Sequence, residues 1–150
     1  MDIRAALPKL LPLAISWAEA QSREVQMHGS ALPDEYAALA RSVGVVRPDL
    51  VRVASARVLP LPQHPELRAA ALQTGLLGPN MVGLTLGYGV IVVSGHGSPR
   101  LLSHELRHVH QYETAGSIAA YLPVYLSQIV EFGYHDAPFE CDARAHEIAP

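Results

Sequence analysis

The chain has 150 residues, of which 49% are hydrophobic and 17% are charged. A chain of this length and apolarity can bury a core without disulfide or metal support, so the composition excludes a disordered protein and favours one domain over residues 1–150. The formal net charge is −3, which provides no basic surface for nucleic acid or an anionic membrane. The single cysteine, Cys141, excludes an internal disulfide and favours a cytosolic protein.

The sequence contains no segment that reads as a membrane span or a signal peptide. Near the start of the chain, Asp2 comes first and prolines interrupt the apolar run, so the order typical of a signal peptide is missing. The most apolar later window, GSIAAYLPVYLSQIV, is too short to cross a bilayer and contains a Pro and a Gln. We therefore expect a soluble, cytoplasmic protein with no transmembrane segment.

Apolar periodicity and turn residues divide the first half of the chain into helices and one strand. The predicted elements are, in chain order, a helix at 8–28, a helix from Pro33 to Gly44, a strand at 50–59 and, after the proline-rich residues 59–65, a short helix that ends at Gly75. Trp17 has helical spacing among Leu and Ala residues, so we expect it in the core.

The second half begins with two β-segments in residues 83–95, which flank Gly87-Tyr88-Gly89 and predict a hairpin or a bulged strand. A helix over 99–115 follows, because Ser98 suits the N-cap, Pro99 the first turn and Gly116 the C-terminal cap. Its two-sided pattern predicts a buried helix beside a sheet that contains residues 82–94. Strands placed between helical blocks indicate an α+β fold.

The stretch HELRHVHQYE, residues 104–113, concentrates titratable side chains on this helix. At 100° per residue, His104, Glu105 and His108 fall within an arc of about 100°. Two imidazoles one turn apart can reach the same ion, and a carboxylate beside them can contact a water on that ion. This H-E-x-x-H arrangement supplies what zinc hydrolysis needs, namely two neutral nitrogen ligands, an adjacent carboxylate base and an open coordination position. His110 lies off this face, so we expect it to be exposed to solvent.

A catalytic zinc usually takes a third protein ligand and leaves its fourth position open. The metzincin pattern requires Gly at position 111 and His at position 114, and Gln111 and Thr114 exclude it. A glutamate from a later part of the chain is the other common solution. The candidates are Glu113, Glu131, Glu140 and Glu147. Of these, Glu140 lies in a short helix that Asp136 can cap and Pro138 can open.

The pair of motifs HELRH (104–108) and Glu140-Cys141-Asp142-Ala143, an E-x-x-A helix, resembles the gluzincin zinc metallopeptidases. The resemblance covers the C-terminal third of the chain. It implies a small zincin-like domain with a short, mainly antiparallel sheet and an active-site helix packed by N- and C-terminal helices. It also implies that His104, His108 and Glu140 bind Zn²⁺ and that Glu105 is the catalytic base.

One position departs from the gluzincin pattern. Arg144 stands where these enzymes often carry an acidic residue that supports a ligand, and Glu147 is the fallback for that role. Glu147 also stays an alternative to Glu140 as the third ligand. Zinc sites that combine a cysteine ligand with this helix motif place the cysteine before the motif, whereas Cys141 comes after it. We therefore interpret Cys141 as a small buried thiol.

These residues predict a metallopeptidase in which zinc polarises a water, Glu105 takes its proton and the scissile carbonyl is attacked. Four residues are candidates for the donor that stabilises the oxyanion: Tyr134, His135, Arg144 and His146. The extended segment Leu84 to Val93 is either a core strand or a strand that binds a substrate backbone. The expected partner is a peptide or protein substrate, which a further protein could present. The alternative function is a catalytically silent binding module that keeps the metal site.

Overall fold

The structure is a computed structural model that describes residues 1–150. The helices are α1 (Ile3–His28), α2 (Asp34–Ser42), α3 (Pro65–Thr74), α4 (Pro99–Ala115), α5 (Ile118–Phe132) and α6 (Pro138–Ala145), with a 3-10 turn at Pro48–Leu50. The strands are β1 (Ser30–Ala31), β2 (Arg52–Ala56), β3 (Gly83–Leu86) and β4 (Gly89–Val93). The α+β class is confirmed. None of the helices combines the length and the apolarity that crossing a bilayer requires.

The four strands form one mixed sheet in the order β1-β2-β4-β3. The outer pairs, β1 with β2 and β3 with β4, are antiparallel, whereas the central pair, β2 with β4, is parallel. Two of the three strand pairs are antiparallel, as expected of a mainly antiparallel sheet, and the central parallel pair makes the sheet mixed. The parallel pair arises because the chain leaves β2, passes through α3, re-enters the sheet at the edge strand β3 and turns back into β4, which then runs in the same direction as β2.

The predicted hairpin is present at the edge of the sheet. β3 and β4 are joined by Gly87 and Tyr88, and Leu86 pairs with Gly89 across the turn. Gly87 has a φ of 66°, in the left-handed region that two-residue hairpin turns favour and glycine adopts without strain. The hairpin therefore makes β3 an edge strand and places β4 inside the sheet.

The first helix is longer than the sequence pattern predicted. It begins at Ile3 because the Asp2 side chain accepts a hydrogen bond from the amide of Ala5 at 3.2 Å and caps the helix. Pro8 and Pro12 therefore lie inside the helix, where each removes one backbone hydrogen bond. The predicted strand at 50–59 is shorter in the structure, where β2 ends at Ala56 before the turns that lead into the proline-rich connection.

Helix α4 is buried against the sheet, as predicted. Leu106 and Val109 are fully buried in a core cluster with Val90 of β4. The face of α4 that carries His104 and His108 packs against α6, and α4 also contacts α5 and β3. Helix α1 packs mainly against α5 and β4. Helix α4 is therefore held between the sheet on one side and the C-terminal helices on the other.

Candidate metal centre

The structure brings His104, His108 and Glu140 together. Their ligand atoms all lie within 4.8 Å of one another. The Glu140 carboxylate bridges the imidazoles, with Oε1 at 3.1 Å from Nε2 of His104 and Oε2 at 3.0 Å from Nε2 of His108. All three side chains are largely buried; Glu140 is only 1% exposed. Two imidazole nitrogens and a carboxylate are thus arranged around one point.

The helical spacing in α4 and the start of α6 produce this arrangement. His104 and His108 are one turn apart on α4, and Glu140 lies in the first turn of α6. Ala143, fully buried at the next turn of α6, has a small side chain that leaves room for the two helices to approach. The predicted cap is wrong: Ala137 occupies the N-cap of α6 without a side-chain hydrogen bond, and the Asp136 carboxylate contacts His135 instead.

The second nitrogen of His104 has a partner of its own. Its Nδ1 lies 2.9 Å from Oε2 of Glu147. A carboxylate only accepts hydrogen bonds, so in the metal-free fold Nδ1 carries a proton against Glu147 and Nε2 carries one against Glu140; a metal would displace the Nε2 proton, while Glu147 keeps Nδ1 protonated. Glu147 therefore supports a candidate ligand, the fallback role considered above, and is not among the three residues whose ligand atoms converge.

The tautomer of His108 is fixed by Gln111, whose role sequence reasoning missed. The Gln111 amide nitrogen donates to the carbonyl of Phe139 and to the Asp142 carboxylate, both at 2.9 Å. Because both partners only accept, the amide oxygen must point the other way, where it lies 2.8 Å from Nδ1 of His108. His108 thus donates through Nδ1 and turns Nε2 towards Glu140. Arg107 in turn forms an ion pair with Asp142 at 2.8 Å.

Glu105 lies beside the three converging residues and is held by the edge strand. The Thr85 hydroxyl donates to Oε1 of Glu105 at 2.9 Å, and Oε2 lies 4.0 Å from Nε2 of His104. A Cβ at Gly83 would stand 3.0 Å from the Glu105 carboxylate, so this glycine makes room for the side chain. Burial raises the pKa of Glu105, although the neighbouring imidazoles oppose the shift.

The buried imidazoles and carboxylates perturb one another strongly. Burial by itself would lower the pKa of His104, but its contact with Glu140 and the charges of the nearby carboxylates raise it to about 9. The pKa of His108 is raised for the same reasons, against the same effect of burial. Burial would raise the pKa of Glu140, but the two imidazoles hold it far below its ordinary value. Such mutual perturbation is typical of functional sites and of metal sites without their ion.

Of the four candidates for an oxyanion donor, the structure places Tyr134 in the cavity that the site lines. Burial and the charge of Glu140 raise the pKa of Tyr134, which keeps the phenol protonated. His135 is exposed, Arg144 contacts the carbonyl of His135, and His146 contacts the carbonyl of Asp142. Another tyrosine, Tyr125, donates to Oε2 of Glu140 at 2.7 Å; no motif had indicated it.

Three side chains of α4 contact the segment that follows α2 and form what we call the anchor cluster, Arg107, His110 and Glu113. Arg107 donates to the carbonyl of Val43, and Nδ1 of His110 lies 2.9 Å from the carbonyl of Gly44. The Glu113 carboxylate accepts from the amides of Val46 and Arg47 and from the Tyr88 hydroxyl. The expectation that His110 is solvent-exposed is wrong, because the segment after α2 covers it.

Two further sequence expectations can be compared with the structure. Glu131 is exposed at the end of α5, and Glu113 belongs to the anchor cluster, so neither approaches the imidazoles. The prediction of a buried thiol is wrong: Cys141 is exposed, because it occupies the outer face of α6 while Glu140 occupies the inner one.

The donor set fits a metal ion. Both imidazoles present Nε2 to the same point, a carboxylate completes the set, and each imidazole has a hydrogen-bond acceptor on its other nitrogen, as ligating histidines almost always do. The set is compatible with zinc and with other divalent ions, and it does not by itself fix the metal. No protein-family model, curated protein or solved structure matches the chain. The metal centre is therefore argued from its own geometry.

Proposed function

We propose that the protein is a zinc-dependent metallopeptidase with His104, His108 and Glu140 as zinc ligands and Glu105 as the base. The support lies in the donor set and in the residues behind it. Two neutral nitrogens and one carboxylate are a ligand set found at catalytic zinc, which keeps a further position open. Glu147 and Gln111 fix the imidazole tautomers that such a site requires.

The observation that carries the proposal is the position of Glu105. Glu105 is 5% exposed, and its carboxylate borders the cavity and stands 4.0 Å from Nε2 of His104, yet Glu105 is not one of the three converging residues. A structural metal site has no need of a buried carboxylate at this point. A hydrolase needs one, because a base must accept a proton from water next to the ion.

The chain supplies the remaining steps with its own side chains. A bound zinc would polarise the scissile carbonyl and make a nearby water more acidic. Glu105, oriented by Thr85, accepts the proton of the attacking water and returns it to the leaving nitrogen. Tyr134 donates a hydrogen bond to the oxygen that gains charge. Strand β3 lies at the edge of the sheet beside Glu105, and an extended substrate would pair with it there.

The test is Glu105→Gln compared with Glu113→Gln. Both residues lie on α4 and the substitution is the same, but Glu113 belongs to the anchor cluster. We expect Glu105→Gln to bind zinc and to lose peptide hydrolysis by about 10²- to 10⁴-fold, as is typical when a general base is removed. Glu113→Gln should keep both. The assay uses an unstructured protein and a mixed peptide library at neutral pH, with zinc content measured in parallel.

The competing function is a binding module that keeps the metal but performs no chemistry. Equal cleavage by the wild type and Glu105→Gln would remove Glu105 from the mechanism. A zinc-loaded wild type that cleaves no peptide, including peptides with acylated ends, would favour the binding module over the enzyme.

A further inference from the structure

A cavity of about 150 Å³ adjoins the metal centre. This volume is far above the roughly 10–15 Å³ that one water molecule needs, so the space is larger than a packing defect. Of its 29 lining residues, 22 are hydrophobic. Most of them come from α1, α3, α5 and β3, while Glu105, His108 and Glu140 contribute polar atoms. The polar atoms of these three residues therefore face an otherwise apolar space.

The polar groups of the lining are concentrated in one connected cluster. Thr85 is hydrogen-bonded to Glu105, Glu140 contacts His108, and Tyr125 donates to Glu140. Away from this cluster the hydroxyl of Thr74 is turned back onto carbonyls of its own helix. The rest of the lining is mainly hydrocarbon, apart from the indole of Trp17 and the phenols of Tyr112, Tyr121 and Tyr134. This division fits an amphiphilic molecule with one polar group and one apolar tail.

Helix α1 shows how long that tail can be. The lining includes Ile3, Leu7, Leu10, Ala14 and Trp17, a spacing of three and four that defines one face of the helix. At 1.5 Å per residue, this face extends over roughly 21 Å from Ile3 to Trp17. An amino-acid side chain is much shorter than this. An extended hydrocarbon chain matches it.

The side chains of the cavity wall are only partly buried, whereas those of a packed core are shielded from solvent. Trp17 on α1, Ala71 on α3 and Leu126 on α5 all line the cavity, yet each is half-buried. A folded chain gains about 25 cal/mol for each Å² of apolar surface removed from water, so the open wall leaves this stabilisation unused. A ligand that fills the space would supply it, and such apolar cavities with a few polar groups are typical of ligand sites.

We propose that the cavity binds a long linear acyl chain whose carbonyl end lies at the cluster of Glu105, His108 and Glu140. The substrate class would be long-chain acyl amides, including peptides that carry a fatty acyl group. This choice of substrate rests on the proposed hydrolase function, whereas binding of the chain does not require the metal. Hydrolysis would add water across the amide, break the C–N bond and release a fatty acid and an amine.

Trp17 provides the measurement, because it is the only tryptophan and it lines the cavity. Metal-free protein is titrated with octanamide and with acetamide, and Trp17 emission is followed. Zinc-loaded protein is titrated with acetohydroxamic, octanohydroxamic and dodecanohydroxamic acid. We expect octanamide to change Trp17 emission and acetamide to leave it unchanged. We expect hydroxamate affinity to rise by about fourfold per methylene until the cavity is filled, the equivalent of about 0.8 kcal/mol per buried CH₂.

Ala71→Phe fills the space from α3, and Ala69→Phe makes the same change at an exposed position of that helix. We expect Ala71→Phe to abolish the advantage of the long chains while acetohydroxamic acid binds as before, and Ala69→Phe to resemble the wild type. Ala14→Leu, on the α1 wall, replaces Ala71→Phe if that variant does not fold. Equal affinity of short and long chains in the wild type would overturn the proposal, as would an unchanged chain-length dependence in the filled variant.

The two proposals fail separately in this design. Octanamide binding by metal-free protein, without amide hydrolysis by zinc-loaded protein, would keep the chain-binding cavity and remove the hydrolase. Peptide hydrolysis without any chain-length dependence in the hydroxamate series would keep the hydrolase and remove the acyl-chain site.

Discussion

Helix α4 carries two polar clusters that look alike in the sequence and differ in the structure. At the candidate metal centre, His104, Glu105 and His108 face other ionisable side chains and a cavity. In the anchor cluster, His110 and Glu113 contact mainly backbone groups of residues 43–47. Both clusters contain histidine and glutamate within the same ten residues. Residue type alone therefore does not distinguish a functional site from a cluster that holds two segments of the fold together.

The difference lies in what each group is paired with. Backbone amides and carbonyls are neutral and fixed, so they satisfy Glu113 and His110 without perturbing one another. At the candidate metal centre, buried charges are held against other ionisable groups, so the protonation of each group depends on that of its neighbours. A group with neutral backbone partners stabilises the fold, and a cluster of mutually perturbed groups next to a cavity is a candidate for chemistry.

The largest expected effect is the difference in zinc affinity between Glu140→Ala and Glu113→Ala. Glu140→Ala removes one of three candidate ligands, and we expect zinc affinity to fall by more than the 10- to 100-fold that loss of an outer partner typically costs. Glu113→Ala should leave zinc affinity unchanged. Competition with a chelating dye, read by absorbance on both variants and the wild type, measures the effect. Wild-type affinity in Glu140→Ala would show that the three-ligand assignment is wrong.

A smaller effect on zinc affinity is expected for Glu147, which contacts a candidate ligand and is not itself one of the three. Glu147→Ala removes the acceptor of His104 Nδ1, so the imidazole loses its fixed tautomer and orientation. Zinc affinity should fall by about 10- to 100-fold. His146→Ala is the matched control, because its imidazole contacts the carbonyl of Asp142 and no candidate ligand. If Glu147→Ala loses zinc more completely than Glu140→Ala, Glu147 is the third ligand.

The pH dependence of stability should also distinguish the clusters. The pKa of His104 in the metal-free fold is about 9, above its ordinary value of 6.5. Because the folded value is raised, the stability that His104 contributes is present below about pH 6.5 and is lost as pH rises through about 9. We expect the thermal midpoint of metal-free protein to fall over this range, while the increase caused by zinc grows, because zinc competes with the Nε2 protons.

Thermal unfolding with and without a chelator measures both trends. His110→Ala is the control from the anchor cluster and should keep the same pH dependence as the wild type. A metal-free midpoint that rises between pH 6.5 and 9 would contradict the charge arrangement described for His104, Glu105 and Glu140.

The smallest effect concerns the anchor cluster itself. Glu113→Ala leaves two backbone amides and the Tyr88 hydroxyl without their acceptor. We expect the free energy of unfolding to fall by about 1–3 kcal/mol, with zinc binding intact in the folded protein. Urea denaturation measured on zinc-free samples gives the value. A loss of zinc affinity in the folded variant would show that the two clusters are coupled through α4.

The sequence by itself determined the parts of the site that depend on local structure. Ser98 and Gly116 mark the ends of α4 correctly, because caps act through neighbouring backbone groups. The helical period then fixes that His104, Glu105 and His108 share a face. The same local rules placed α3, α6 and the hairpin. They failed at the start of α1, where Asp2 and the packing of the apolar face outweigh two prolines.

Only the tertiary structure decided which groups approach from elsewhere in the chain. Thr85, Gln111 and Tyr125 have no motif, since their roles depend on a sheet edge and two helices meeting around α4. The same is true of the cavity, whose walls come from α1, α3 and α5. Periodicity shows that a residue faces inward; it does not show whether packed side chains or an open space lies opposite, because that depends on how separate elements dock.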